Sequence, residues 1–274
     1  MNAWNRITAL SKIVALDGIR KHTLIGLVLL ALLAETFGIF FIDFFGYDIG
    51  RVASDFFFSV MWLAGLLFLF FHAVQVIAWD EEQKIIFAIL ARPLSRTEYV
   101  IGTWLGLLIL MLFLELLLGT IAWLSLLWIQ SNVGEVYFLT LNGTGFIITL
   151  LGLLLTQTAV LSAIMLFSGL VRGGFPVLIL SLAYYFICSG LPVVRESIQR
   201  QISMNNEGEG LAMILKALSF LFPDMNRMDY KGEVVNSLLS LDSSAIIFQI
   251  AFAIVYALLM IALACHAYSR RDIQ

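Results

Sequence analysis

Six stretches of the chain, residues 24–42, 56–79, 101–129, 146–170, 175–194 and 245–268, hold no lysine or arginine and are almost wholly apolar. Each has at least 19 residues. A helix rising about 1.5 Å per residue needs about 20 residues to cross the roughly 30 Å hydrocarbon core of a bilayer. The runs therefore predict an all-α integral membrane protein with six transmembrane helices. Composition agrees: the 274 residues are 61% hydrophobic and 13% charged, against about 45–50% and 25% in soluble domains. A water-soluble enzyme is excluded. The formal net charge of -3 leaves no basic excess that would argue for a nucleic acid partner.

Orientation follows from the basic residues. With the N-terminus inside, ten of them (Arg6, Lys12, Arg20, Lys21, Lys84, Arg92, Arg96, Arg172, Arg270 and Arg271) fall on cytoplasmic pieces. The six on the other side are Arg51 and five in one long loop, residues 195–244. The short-loop bias places both termini in the cytoplasm. The 23 residues before the first run are helical in pattern and no A-x-A site follows Ala34, so the run reads as a retained span rather than a cleaved leader. Trp4, Ile7, Leu10, Val14 and Ile19 recur near helical spacing among Arg6, Lys12, Asp17, Arg20 and Lys21. Residues 1–23 thus read as an amphipathic helix on the inner membrane surface, or more blandly as a solvated leader.

Within the large outer loop, Pro192 followed by Val194, Ile198 and Ile202, with Glu196 and Arg200 at i,i+4, predicts a short amphipathic helix. Residues 205–210 are polar and contain glycine, and residues 211–222 are apolar, too short to span and stopped by Pro223. They read as an interfacial or re-entrant helix. No repeat or linker divides the chain, so residues 1–274 form one membrane domain.

Motifs for chemistry are absent from the sequence. His22, His72 and His266 make no HExxH or zinc spacing, Cys188 and Cys265 lie in separate apolar runs, and neither GxxxxGK[ST] nor GxGxxG occurs. No cofactor is expected on this chain, and any ATP would be bound by another subunit. Ionisable groups inside spans are the exceptions, because they cost about 2.5–3.5 kcal/mol on insertion scales. Glu115 lies at the middle of the third run, Glu35 past the middle of the first, and Thr156, Gln157 and Thr158 belt the fourth. They could line a translocation path or take up protons; equally, neutral hydrogen-bonded carboxyls could hold the bundle together. Gly102 with Gly106, and Gly169 with Gly173, are GxxxG pairs that read as packing or as chance, and Asn142-Gly143-Thr144 is either a glycosylation tripeptide or a turn.

The segment joining the second and third spans, residues 80–100, is the most distinctive. Asp80-Glu81-Glu82 opens it, Ile85, Ile86, Ile89 and Leu90 share a helical face, Pro93 stops that helix, and Ser95 is placed to cap the next. As a bare pattern it could be a solvated loop. The acidic group, the isoleucine-rich helix, Arg92-Pro93-Leu94-Ser95-Arg96 and Gly102, together with Asp17-Gly18-Ile19-Arg20-Lys21, Phe222-Pro223-Asp224-Met225-Asn226-Arg227 and Ser269-Arg270-Arg271-Asp272-Ile273, resemble the permease subunits of type 2 ABC transporters. The resemblance is to the branch that includes permeases associated with multicopper enzyme maturation. It covers nearly the whole chain, with Thr103 standing where many members carry a basic residue.

The resemblance implies a permease without catalytic residues, in a bacterial inner membrane. It would pair with a second permease chain, the same or different, and dock a cytoplasmic ATP-binding subunit through a coupling segment. Glu81, Glu82, Arg92, Pro93 and Arg96 would form that contact. Glu35, Glu115, Thr156 and Gln157 would line the bundle interior or the path. The alternative is a polytopic protein of another class, such as a membrane enzyme, assembly scaffold or proton-coupled carrier built on Glu35 and Glu115. The enzyme lacks a nucleophile, base and metal set, and the carrier lacks a detectable inverted repeat.

Overall fold

The apolar runs become helices longer than themselves in a computed structural model of the chain, which describes residues 2–20, 22–42, 49–82, 94–133, 141–205, 222–231, 234–235 and 243–270. The elements are α1 (Ala3–Arg20), α2 (His22–Ile42), α3 (Ile49–Leu67), a π-helical turn (Phe68–Ala73), α4 (Val74–Glu82), α5 (Arg96–Val133), α6 (Gly143–Leu170), α7 (Gly174–Asn205), a 3-10 turn (Met225–Met228) and α8 (Ser243–Arg270). No strand occurs among the described residues. Among the described residues five helices are long and apolar enough to cross a membrane, six if α1 and α2, bent 58° from one another, together make one crossing. The chain is an all-helical, multi-pass membrane protein.

Consecutive spans alternate in direction, giving the bundle a near end, with Asn2, Arg96 and Arg270, and a far end, with Ile49, Gly143 and Ser243. α6 is the central post: two-thirds of its apolar window is inside the protein, against 22% for α7 and 28% for α8. Those two present faces such as Phe175, Phe186, Phe248 and Val255 outward. Exposed apolar side chains of this kind suit a lipid environment, where burying them has no hydrophobic driving force.

Three expectations need correction. The second span begins seven residues earlier than residue 56: α3 starts at Ile49 and carries Arg51 and Asp55 in its first two turns. A helix can outrun its apolar core wherever polar side chains reach the bilayer surface. Second, Pro192 does not begin a separate amphipathic helix. α7 runs unbroken through it, because a proline removes one backbone bond and its neighbours hold the rest of the ladder. Third, the apolar residues at the N-terminus do not make one membrane-facing stripe. Ile7 and Leu10 are buried along with Ser11, Ala15 and Gly18, while Trp4, Ile13, Leu16 and Ile19 are exposed.

The buried stripe of α1 packs along the first half of α5. Arg6 meets Glu98, Leu10 lies over Gly102, Val14 and the Ser11 carbonyl lie over Gly106, and Gly18 meets Leu110. The offset is 92 residues at Arg6–Glu98, and the other three contacts repeat it turn by turn. Two helices keep a constant offset for about three turns when they run parallel at a shallow angle. The Gly102–Gly106 pair is therefore a seat, since a Cβ on Gly106 would lie 2.7 Å from Val14 Cβ and 2.9 Å from the Ser11 oxygen. Gly18 is also covered by His72 of the π turn, whose Nε2 would lie 3.2 Å from an added Cβ. His72 stacks on Phe68 with ring centroids 5.1 Å apart. The other glycine pair divides: Gly169 lets Tyr268 of α8 approach, and Gly173 turns the chain into α7 at φ 90°, a conformation natural to glycine.

Between α7 and α8 the chain enters the bundle from the far end. Thr149 Oγ1 donates to the Tyr230 carbonyl at 3.0 Å, Gly152 accommodates the Met228 carbonyl, and Thr156 Oγ1 reaches Met228 Sδ at 3.6 Å. Those α6 positions lie roughly 9, 14 and 20 Å in from Gly143 at 1.5 Å per residue. Tyr230 also donates to Gln249 of α8, and Asn142 N–H donates to the Val234 carbonyl at 2.9 Å. Irregular backbone is tolerated at such depth where protein satisfies it, and α6 supplies that hydroxyl. The predicted helix over residues 211–222 lies, apart from Phe222, outside the described residues.

Candidate functional site

The near-end corner where α5 begins is built from a local motif and one long-range contact. Ser95 caps α5: its N–H donates to Glu98 Oε2 at 2.9 Å, while the Glu98 N–H donates to Ser95 Oγ at 3.2 Å. This reciprocal S-x-x-E box satisfies two donors that a helix start leaves open. Arg6 of α1 then donates to the same carboxylate from Nε at 3.2 Å and from Nη2 at 2.5 Å. Glu98 is buried, and its charge is matched by the Arg6 guanidinium.

Arg96, one residue past the cap, donates from Nη1 to the carbonyls of Tyr268 and Ser269, each at 3.2 Å. A cation over the last carbonyls of α8 also complements that helix's dipole. Tyr268 continues the tie inward, with its hydroxyl 2.9 Å from Ser168 of α6 and its ring 6.2 Å from Tyr99. Residues 95–99, at the end of the 80–100 segment, thus join α1, α5, α6 and α8. Of the other residues assigned to coupling, Glu81 and Glu82 form the last turn of α4 with their side chains outside the described set, and Arg92 and Pro93 are outside the described residues.

A second candidate lies at mid-bundle. Glu115 of α5 is fully buried, and Gln157 Nε2 of α6 donates to its Oε1 at 2.7 Å. The Gln157 amide rests on Gly65 of α3, where any Cβ would occupy its space. Among the described residues Glu115 Oε2 and Gln157 Oε1 have no hydrogen-bond partner. Glu35 is also buried, on the α2 face shared with Leu24 and Ala31, and neither of its oxygens has a partner among the described residues. It is not brought to Glu115 by any hydrogen bond.

The three-residue belt of α6 is fanned in three directions, as 100° per residue requires. Thr156 turns to the re-entrant segment and Gln157 to Glu115. Thr158 donates to the Leu154 carbonyl, on the side where Ser162 accepts the Trp104 indole N–H at 3.1 Å. Asn142 is a helix cap whose side chain accepts the Thr144 N–H at 3.0 Å. Sequence reasoning missed Glu98. The S-x-x-E spacing was legible, but nothing local pointed to Arg6. Among the described residues no cluster of three metal-ligating side chains occurs.

No family model matches the chain, and no curated protein matches it.

Proposed function

We propose that the chain is the membrane-spanning permease subunit of an ABC-type transporter, moving its substrate as a separate cytoplasmic ATP-binding subunit closes and opens. One observation carries the reading: residues 95–99, at the end of the 80–100 segment, tie the near ends of four helices. Arg6–Glu98, the Ser95 box and the Arg96 bonds to α8 make the corner a lever on which a docked partner can act. A push on α5 at its cap reaches α1 through Arg6 and α8 through Arg96. Glu81, Glu82, Arg92 and Arg96 provide charge for that docking. A second permease chain would cover part of the outward faces of α7 and α8.

Reversing charge at Glu82 and Arg96 tests this reading. Loss of ATPase co-purification, with the permease still inserted, supports it; unchanged association and hydrolysis refute it. The half-satisfied Glu115–Gln157 pair favours a second reading, a carrier that takes up protons at Glu115. In that case Glu115→Gln would abolish transport while leaving the fold intact, and no ATPase would associate.

A further inference from the structure

A cavity of about 260 Å³ lies beneath the re-entrant segment at the far end of the bundle, between α3, α6 and α7. Its walls are of three kinds. Phe58 and Trp62 of α3 and Tyr185 of α7 present aromatic rings, with the Trp62 indole N–H donating to the Tyr185 hydroxyl at 3.0 Å. Met225 and Met228 form the side made by the re-entrant segment, and Asp229 paired to Lys231 at 3.1 Å stands beside them.

The hydroxyls decide what such a cavity accepts. Each carries one proton and two lone pairs. Ser59 donates to the Asp55 carbonyl at 2.6 Å, Thr149 to the Gly145 and Tyr230 carbonyls at 2.8 and 3.0 Å, and Thr156 to the Gly152 carbonyl at 2.9 Å. With their protons spent on backbone, these three offer an occupant lone pairs; Ser189 and the Tyr185 hydroxyl, whose oxygen takes the Trp62 N–H, line the cavity beside them. Aromatic rings carry negative potential over their faces, and a cation within about 6 Å of a ring centroid is attracted by it. Lys231 is matched by Asp229, so it does not reverse the polarity. An anion would face the lone pairs of these three hydroxyls and the rings, its donors there being Tyr185, Ser189 and the already paired Lys231, whereas a purely apolar guest would strip the hydroxyls of water without replacing it. Methionine side chains adapt to guests of varied shape.

We infer that this cavity is a binding site for a small amphipathic organic cation, an alkyl- or arylammonium whose charged head meets the ring faces and hydroxyl oxygens and whose apolar body packs on Leu153 and the two methionines. The site goes beyond the permease reading, because occupancy of the isolated chain needs no ATPase.

The test is equilibrium dialysis of the full chain in nanodiscs of zwitterionic lipid, with benzyltrimethylammonium as the probe. Its uncharged carbon isostere neopentylbenzene and the anion benzenesulfonate serve as comparisons. Saturable one-to-one binding is expected for the cation, with the isostere and the anion weaker by tenfold or more. Trp62→Leu should weaken the cation by roughly tenfold, a loss within the range of a desolvated cation–π contact. Trp62→Phe, which keeps a ring, should lose less, and Thr156→Val should weaken binding without removing any volume. Trp128→Leu, at an exposed position of α5, should change nothing. Absence of saturable cation binding to the unmodified chain would overturn the proposal. So would tighter binding of either comparison compound, or full affinity in both Trp62→Leu and Thr156→Val. None of these outcomes depends on whether an ATPase partner is found.

Discussion

Replacing Gly106 by alanine should loosen α1 from α5, and the cost can be worked from the seat. The new Cβ would lie 2.7 Å from Val14 Cβ and 2.9 Å from the Ser11 carbonyl oxygen. Both atoms are fixed to the α1 backbone, so no side-chain rotation relieves the contact. Carbon atoms settle at about 3.5–4.0 Å, so α1 must retreat by roughly 1 Å. Overpacking of this kind costs about 1–3 kcal/mol, and alanine recovers about 1 kcal/mol of helix propensity over glycine. Gly26 and Gly190 have nothing within 4 Å of an added Cβ, so alanine there takes the propensity gain alone. The Gly106 variant should therefore be less stable than either control by about 1–3 kcal/mol. The assays are thermal unfolding in nanodiscs and the thiol-labelling rate of Ser11→Cys, a buried position, in a chain freed of Cys188 and Cys265. If Gly106→Ala melts with the controls and Cys-labelling at position 11 is no faster, α1 is not seated on that glycine.

Three further outcomes follow from the same contacts. A double-mutant cycle with Glu115→Leu, Gln157→Leu and the pair should give a coupling of about 0.6–1.7 kcal/mol, from the average to the largest value for hydrogen bonds between membrane helices; reversible unfolding in bicelles reads it, and strict additivity would remove the bond from the account. Asn142→Ala should cost about 1 kcal/mol as a lost helix cap, whereas Thr144→Ala, which destroys the glycosylation tripeptide but keeps the Thr144 N–H, should leave the melting temperature unchanged in unglycosylated protein. Glu98→Arg should speed labelling at position 11, and adding Arg6→Glu should restore part of the protection; equal labelling in all three proteins would show that this ion pair does not hold α1.

The spans were legible because an apolar run without lysine or arginine has one stable form in lipid. Their ends were not: Arg51 and Asp55 sit in α3 because polar side chains can reach past the apolar core, and Pro192 stays helical because α7 continues on both sides of it. The Ser95 cap was legible from local spacing. Its partner Arg6 was not, since a contact across 92 residues leaves no local pattern, and the amphipathic stripe of α1 admitted a bilayer as readily as another helix. Glu115 stood out as a carboxylate in an apolar run, but the choice of Gln157 as its donor came from how α6 is rotated against α5. The cavity at Trp62 and Tyr185 was invisible in sequence, because each of its residues alone is an ordinary aromatic or hydroxyl in a membrane helix.

The most direct measurement of the central claim is photo-crosslinking from the end of α4 in native membranes. A benzophenone maleimide attached to Glu82→Cys, in a chain without Cys188 and Cys265, should crosslink to one ATP-binding subunit. That subunit should co-purify with the unmodified chain and hydrolyse ATP, and charge reversal at Glu82 and Arg96 together should lower both association and hydrolysis while membrane insertion stays normal. A chain that crosslinks to no nucleotide-hydrolysing subunit, or a complex indifferent to the double reversal, would contradict the account.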